Sequence, residues 1–366
     1  MDQRTDYSNV PVSIEGKIGQ NLHLNKSHPI CIIKEMIYAY FDSIPGRAFE
    51  KHDEFSPFVN IHDNFTKLRI EIGKHVSTSK SDTYYVNEET VLRTHTSAHQ
   101  NELFSKGTEN FLVTGDVYRK DEVDKSHYPV FHQMEGAGLV VGDNPVKELQ
   151  MILSGLVEHL FPGCEYRYGD DYFPFTEPSF EIEVKYNDDW LEILGCGITH
   201  KEILDQHNIT KQYWAFGLGL ERLCMLFFKI PDIRYFWSRD EKFLSQFKEG
   251  QITEFIPYSN CNPITKDMSF WISNKDVTII SDKKFTWNKL NEFFEFVREF
   301  SDDTLESVKL FDSFYKKKDD KYSIAFHFVF APTHTVKDPG LFNAEVDKFV
   351  LELRDKVSKN YNVELR

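Results

Sequence analysis

The feature that most constrains this chain is a series of strand-like segments that follow one another without the crossover helices a parallel sheet needs. FLVTGDVYR (111–119) is followed by VFHQMEGAGLVV (130–141), and SFEIEVKY (179–186) by WLEILGCGI (190–198). A helical stretch, VKELQMILSGLVEHL (146–160), separates the two pairs, and a Gly-rich strand runs straight into another helix at 219–229. Strands beside strands, with helices between the groups, predict an α+β fold around an antiparallel sheet. Neither GxxxxGK(S/T) nor a GxGxxG between strand and helix occurs, which excludes the nucleotide loops of parallel sheets.

Ahead of these strands, residues 28–42 put Ile30, Ile33, Met36, Ile37 and Tyr40 on one helical face. Residues 45–82 are polar and irregular, TYYV (83–86) reads as a short strand, and 238–249 as a short helix. Beyond 250–264, the tail reads β (268–272), α (286–300), β (308–315), β (322–330), α (341–361), with VELR as a last strand. That is the order of a ferredoxin-like sandwich. The 366 residues thus divide into a large domain (1–249, with 1–27 as an N-terminal extension), a linker (250–264) and a small domain (265–366).

Composition removes several classes. Cys31, Cys164, Cys196, Cys224 and Cys261 stand singly, which argues against a disulfide scaffold or zinc ribbon and for a reducing compartment. No apolar run approaches membrane-spanning length. The N-terminus, MDQRTDYSNV, has no apolar segment and carries Asp2 and Asp6, so it reads as neither a secretory signal nor a transit peptide; if the protein works in an organelle, its presequence is expected to be missing from this chain. The net charge of −15 speaks against a polyanionic partner. It is uneven, however: residues 261–366 carry 17 Lys+Arg against 18 Asp+Glu. The near-neutral tail with its Lys316-Lys317-Lys318 run is the better surface for a polyanion, although a solvated loop explains the run equally well.

Four segments concentrate chemistry. In RTHTSAH (93–99), His95 and His99 are spaced as helical metal ligands, but the Glu of HExxH is absent, and Ser97 lacks a GxSxG elbow. In 115–136, Arg119 closes one strand and alternation puts Phe131, Gln133 and Glu135 on one face of the next. An aromatic, an amide and a carboxylate suit an aromatic base beside an ammonium group; a wet sheet face is the plainer reading. In YFPFTEPSF, Phe173 and Phe175 share a face, as core or as an edge-to-face slot for an aromatic ligand. In YWAFGLGLERLCML (213–226), Gly217 and Gly219 let a ligand approach the backbone, and Arg222 sits in the first helical turn. The helix dipole disfavours a cation there, which points to a bound anion. Two arginines with no Walker lysine suggest a triphosphate gripped by guanidinium forks.

In order and spacing these segments resemble motifs 2 and 3 of the class II aminoacyl-tRNA synthetases. RTHTSAH, VFHQMEG, YFPFTEPSF, WLEILGCG, WAFGLGLERL and IPDIRYFW resemble its phenylalanine-specific branch, and the tail ending in YNVELR resembles that branch's ferredoxin-like anticodon-binding domain. Over residues 20–366 the chain resembles the single-chain, mitochondrial type. The resemblance implies a class II antiparallel sheet flanked by helices. It implies a ligase that activates L-phenylalanine with ATP and Mg²⁺ and transfers it to the 2′-OH of the terminal adenosine of tRNA(Phe).

It also implies roles. Arg119 grips the α-phosphate, Arg222 meets ATP from the far side and Phe131 stacks on adenine. His127 and Gly219 are further ATP contacts. Arg119-Lys120-Asp121 departs from the usual Arg-x-Glu, which makes Glu122 the candidate partner of the adenine amino group. His95, Ser97, Gln133 and Glu135 hold the amino acid's ammonium and carboxylate. Phe173 and Phe175 bracket its ring, and Ala215, with Gly217 beside it, forms the pocket floor. Glu177 and Glu192 are the carboxylates on the Mg²⁺ side. A monomer is implied, with no membrane partner and no editing domain, in the mitochondrial matrix, with a cytoplasmic location as the alternative. The residues taken alone leave open a ligase that adenylates another carboxylate, and a non-catalytic nucleic-acid-binding relative.

Overall fold

The computed structural model describes residues 7–259, 261–281, 284–336 and 338–366. The first part of the chain supplies strands β1 (Glu50–His52), β2 (Phe58–Asn60), β3 (Thr90–Leu92), β4 (Asn110–Tyr118), β5 (Val130–Leu139), β6 (Tyr166–Asp171), β7 (Thr176–Tyr186), β8 (Asp189–Thr199) and β9 (Tyr213–Gly219). Seven of them form the central sheet, in the order β1-β4-β5-β9-β8-β7-β6. Every pairing is antiparallel except that of β1 with β4, so the expected antiparallel sheet carries one parallel edge strand.

Three helices cover one face. Pro29–Asp42 starts with Pro at its first position, and its first amide is capped by the His28 ring. Pro145–Leu160 starts the same way, with Asn144 accepting from Lys147 N at 3.0 Å. Leu220–Phe227 follows β9 with no intervening residue. Their apolar sides bury Ile33, Ile37, Leu149, Leu153, Leu220 and Leu223 against Met134, Ile182, Trp214 and Phe216 of the sheet. On the other face, Leu103, Phe104, Ile203 and Leu204 pack over Phe111, Ala137, Tyr213 and Ala215, and the rest is left for the site.

Several sequence expectations change. TYYV is no strand: only Tyr85 pairs, in an isolated bridge to Val91. The 238–249 helix contracts to Glu241–Leu244. Strands β1, β2, β3 and β6 were not anticipated, because three-residue pairings and the single Tyr-Arg-Tyr alternation of YRYGDD are too short to show a period.

The C-terminal part contains β10 (Ile264–Ile272), β11 (Val277–Ser281), β12 (Lys284–Trp287), β13 (Leu305–Lys316), β14 (Lys321–Phe330) and β15 (Glu364–Leu365). Its main sheet, β13-β14-β10-β15, has ferredoxin-like order. Helices Leu290–Ser301 and Pro339–Tyr361 cover one face over a core that includes Phe270, Phe293, Phe326, Leu353 and Val357. The expected helix at 286–300 starts later because residues 284–287 pair with β11 instead.

This domain docks on the loop between β4 and β5. Arg298 donates to Glu122 O at 3.0 Å, Val308 N to Val123 O at 2.9 Å, and Tyr128 Oη to Asp303 Oδ1 at 2.6 Å. Arg234, held by Asp232, donates to the carbonyls of Asp303 and Ala331 at 2.8 and 2.9 Å.

Candidate active site

Side chains directly opposite each other in an antiparallel ladder share a face. The register therefore assigns the open face without ambiguity. One row runs Val113, Glu135, Gly217, Gly195, Glu181 across five strands, and the next runs Phe111, Ala137, Ala215, Gly197, Ser179. A third holds Gly115, Gln133 and Gly219. Across β9 and β8 this floor carries nothing larger than a methyl group. A Cβ built on Gly219 meets nothing within 4 Å, and one on Gly217 meets only the Gln133 amide nitrogen, at 3.2 Å. The backbone of β9 is thus bare on the side where Glu135 and Gln133 project.

The 93–100 segment crosses this face. Arg93 lies directly over Gly115, where a Cβ would collide with its guanidinium, and it is fixed by Asp116 at 2.9 Å. Thr94 O accepts from Arg119 Nε at 2.6 Å, and Thr96 N donates to Gln133 Oε1 at 3.2 Å. Ser97 and Gln100 approach the Glu135 carboxylate. Burial pushes Glu135 up to about 7, against the hydrogen bonds from Ser97 and Gln100. Burial and the neighbouring Arg119 push His95 down to about 3, so its ring is neutral.

Buried polar atoms without partners gather here. Glu135 Oε1, Gln100 Oε1, Thr96 Oγ1 and both ring nitrogens of His95 lack hydrogen-bond partners among the described residues. Each such group costs about 1–3 kcal/mol if left unpaired. The cluster matches a small ligand with a cationic donor group. Gln100 was not anticipated; its position directly after the RTHTSAH segment was the available signal.

Beside this cluster stand Phe173 and Phe175, both half-buried rather than sealed in core. Their rings are near parallel, with centroids 5.7 Å apart and an 11° interplanar angle. That spacing leaves no room for a third ring stacked face to face between them, and their edges form one aromatic wall. Phe173 lies over Gly195, where a Cβ would be 2.7 Å from the ring. Phe175 lies 6.3 Å from the His95 ring and packs against the cluster that contains Ala215.

At the other end of the face, alternation from Val117 puts Arg119 on the same side as Phe131, and its guanidinium lies 5.3 Å from that ring. Arg222, the third residue of its helix, reaches towards β8: Nη1 donates to Glu192 O at 2.9 Å, with Glu192 Oε2 at 3.6 Å. Arg119 lies just past the end of β4 and Arg222 just past the end of β9, the two strands that flank β5, at the same edge of the sheet.

Glu221 keeps Arg222 there. It accepts from His132 N and from the His132 ring, both at 2.7 Å, pinning the helix to β5. This buried pair was not anticipated; an acid in a first helical turn beside an adjacent strand histidine was its only trace.

Three sequence expectations fit less closely. His127 turns to Asp124 Oδ2 at 2.9 Å rather than standing free, and Glu122 is exposed, its carbonyl held by Arg298. Glu192 pairs with Glu183 while Thr176 pairs with Thr199, so Glu177 and Glu192 lie roughly 20 Å apart along the ladder and cannot share one ion. Glu177 instead meets His200 at 3.3 Å.

Residues 11–247 match the family model "tRNA synthetases class II core domain (F)", and residues 259–366 match "Ferredoxin-fold anticodon binding domain". The chain is 47% identical to the chloroplastic/mitochondrial phenylalanine–tRNA ligase of Arabidopsis thaliana, over 98% of this chain and 83% of that protein. It is 37% identical to a probable mitochondrial phenylalanine–tRNA ligase of Drosophila melanogaster (98% and 90% covered) and 34% identical to the mitochondrial enzyme of Saccharomyces cerevisiae (98% and 92%). Taken with the geometry of the sheet face, these matches establish that the chain belongs to the phenylalanine–tRNA ligases of the class II synthetase family.

Proposed function

We propose that this chain joins L-phenylalanine to tRNA(Phe) in two steps on the open face of its central sheet. The observation that carries the reading is the buried, unpartnered Glu135 Oε1 and Gln100 Oε1 beside the Phe173–Phe175 wall. Glu135, Gln100 and Ser97 receive the ammonium group, and His95 and Gln133 orient the carboxylate. The phenyl ring packs edge-on against the wall, over the Ala137–Ala215–Gly197 floor.

ATP is the second substrate. Adenine stacks on Phe131, with Gly219 allowing close approach and His127 and Glu122 at the loop side. Arg119 and Arg222 neutralise the triphosphate from two directions, so that one anion can attack another. The phenylalanine carboxylate oxygen bonds to the α-phosphorus, and the bond to the bridging oxygen breaks with release of pyrophosphate. A ribose hydroxyl of the tRNA's terminal adenosine then attacks the acyl carbon; AMP leaves and the hydroxyl gives up its proton. No protein nucleophile is involved.

The carboxylates beside Arg222 suit Mg²⁺. Burial and then the nearby Glu192, Asp171 and Glu183 raise Glu181, the signature of a crowded acidic site. Glu192 with Glu181 would hold the ion, which when bound supplies charge neutralisation at the phosphates.

Residues 1–249 form the catalytic domain, 250–264 the linker and 265–366 the tRNA-binding domain. A monomer is supported by the Pro29–Asp42 helix, whose apolar residues are covered within the chain and whose exposed positions are Glu35, Ala39 and Asp42. The relatives' names place them in mitochondria or chloroplasts, which supports an organellar location, and the mitochondrial matrix is the finer reading. The test is ATP–pyrophosphate exchange across the twenty amino acids, followed by aminoacylation of tRNA(Phe). Exchange with phenylalanine alone is expected; exchange with a different carboxylate would overturn the reading.

A further inference from the structure

Both sides of the amino-acid pocket are tied to one short segment that supplies none of its lining. Between β2 and β3 the chain forms the helical turn Ile61–Asn64 and the 3-10 turn Thr66–Leu68, and then reverses at Arg69. Phe65, Leu68 and Ile70 are buried in the cluster that contains Phe111, Ala137 and Ala215, so the segment is fixed to the sheet beneath the pocket. Its polar residues reach in two directions. Asn64, fully buried, accepts from Thr94 N at 3.0 Å and donates to Thr94 Oγ1 at 2.9 Å, which holds the residue next to His95. Arg69 donates from Nη1 to Pro174 O at 2.7 Å and from Nε to Glu202 Oε2 at 3.0 Å.

Pro174 stands between the two rings of the aromatic wall. It has no N–H, so the carbonyl that Arg69 holds is its only backbone polar group. Phe173, Pro174 and Phe175 link the edge strand β6 to β7 and are half-buried, so packing alone does not fix them. Phe173 is held inside its own turn: its N–H donates to Ser179 Oγ and its carbonyl accepts from Thr176 N, both at 3.2 Å. Phe175 O accepts from His200 N at 2.9 Å. Pro174 depends on a side chain from 105 positions earlier in the chain.

A surface ion pair such as Arg69–Glu202 contributes little by itself. The guanidinium is a rigid fork with donors in several directions, and one of them is spent on a carbonyl between the wall rings. The backbone points the same way. Arg69 has φ 65°, a left-handed conformation that favours glycine, so arginine stands there against backbone preference.

We propose that Arg69 is a positioning residue that sets where the Phe173–Phe175 wall stands, and thereby which side chains the pocket admits. Residues 61–70 then act as a strut between that wall and the 93–100 segment. The inference rests on the reading of the wall as part of the phenylalanine site.

The test uses the full chain and pyrophosphate exchange with phenylalanine and with p-chlorophenylalanine. Arg69→Gly suits the left-handed backbone and removes only the side chain, so the protein should fold. It is expected to raise the KM for phenylalanine about tenfold and to lower discrimination against the chloro analogue by about threefold to tenfold, as a displaced wall predicts, with the KM for ATP unchanged. Arg69→Lys, which keeps a donor for Pro174 O, is expected to recover most of both effects. Arg69→Gln, shorter and uncharged, decides the matter if the glycine variant does not fold. A KM for phenylalanine and a discrimination within about twofold of the unmodified chain, in folded Arg69→Gly or Arg69→Gln, overturns the proposal. So does a KM for ATP that rises by the same factor as that for phenylalanine, which would mean general loosening. Failure of the ligase reading would show separately, as absent phenylalanine-dependent exchange in the unmodified chain.

Discussion

The protein contains two largely antiparallel sheets, each packed by its main helices on one face, and the opposite faces are built in different ways. The central sheet's face has a floor of Gly217, Gly219, Gly195, Ala137 and Ala215, walled by buried polar atoms that find no partner among the described residues. It has been hollowed out, so a small molecule must complete it. The C-terminal sheet's face has rings and cations standing above it, Trp271 and Phe314 with Arg366, Lys316 and Lys321, over the small residues Ser323, Ser269 and Ala325. It meets a large, flexible partner from outside. The first face depends on what side chains leave out, the second on what they put forward. The two should therefore respond differently to substitution: abruptly where a buried partner is lost, gradually where exposed contacts add up.

The abrupt case is strongest at Arg222. The residue is exposed, and its polar contacts among the described residues are to Glu192, so Arg222→Ala should fold normally. Pyrophosphate exchange should fall by about a thousandfold, the scale expected for losing a cation that meets charge in the transition state. A melting temperature near that of the unmodified protein together with exchange near normal would remove Arg222 from the site.

Glu135 comes next. Glu135→Gln should raise the KM for phenylalanine about tenfold to a hundredfold, since a charge-assisted bond to the ammonium is lost. Its pH dependence has a definite sign. Burial holds the carboxyl at about 7 in the fold against 4.5 as the ordinary value, so the folded state binds the proton more tightly than the unfolded chain. Stability of the free enzyme contributed by this group is therefore present below 4.5 and lost as pH rises to about 7. Binding of the ammonium needs the carboxylate, so the KM for phenylalanine should drop about tenfold from pH 6 to pH 8. In Glu135→Gln that slope should vanish.

How much of each face could be read from the chain follows from the same contrast. VFHQMEG carries period-two alternation, so Phe131, Gln133 and Glu135 were assigned to one face from spacing alone; the register agrees, and it brings Gly217 and Gly219 opposite Glu135 and Gln133. Gln100 and the His132–Glu221 pair were not legible, because their partners are brought in by tertiary packing from distant segments. The separation of Glu177 from Glu192 was also hidden: two acids fifteen positions apart are neighbours or far ends depending on where a hairpin turns, and this one turns between Tyr186 and Asp189. On the C-terminal sheet the visible signal was the lysine run. Trp271, Phe314 and Arg366 come from three strands, and no local pattern joins them.

Ala215 sharpens the contrast with a milder change. It is 4% exposed, between Ala137 and Gly197. Ala215→Gly removes one methyl from the floor and should admit p-chlorophenylalanine. Discrimination against that analogue in pyrophosphate exchange should fall by about tenfold, the worth of roughly one to two methylenes of fit in an apolar pocket. Unchanged discrimination would place the end of the phenyl ring elsewhere.

The smallest effects belong to the exposed face, and salt can resolve them. Each lysine that meets a phosphate of single-stranded RNA adds about 0.7 to the slope of log affinity against log salt. Replacing Lys316 and Lys321 by alanine should therefore lower the slope for the anticodon stem-loop by about 1.4 in sum. Replacing Lys317 and Lys318, which stand off the Trp271 ring at the hairpin turn, should change it by less than about half a unit, the part due to general field rather than contact. Equal slopes for the two pairs would mean that the domain attracts RNA through diffuse charge alone, and the difference between the two sheet faces would then lie in small-molecule recognition only.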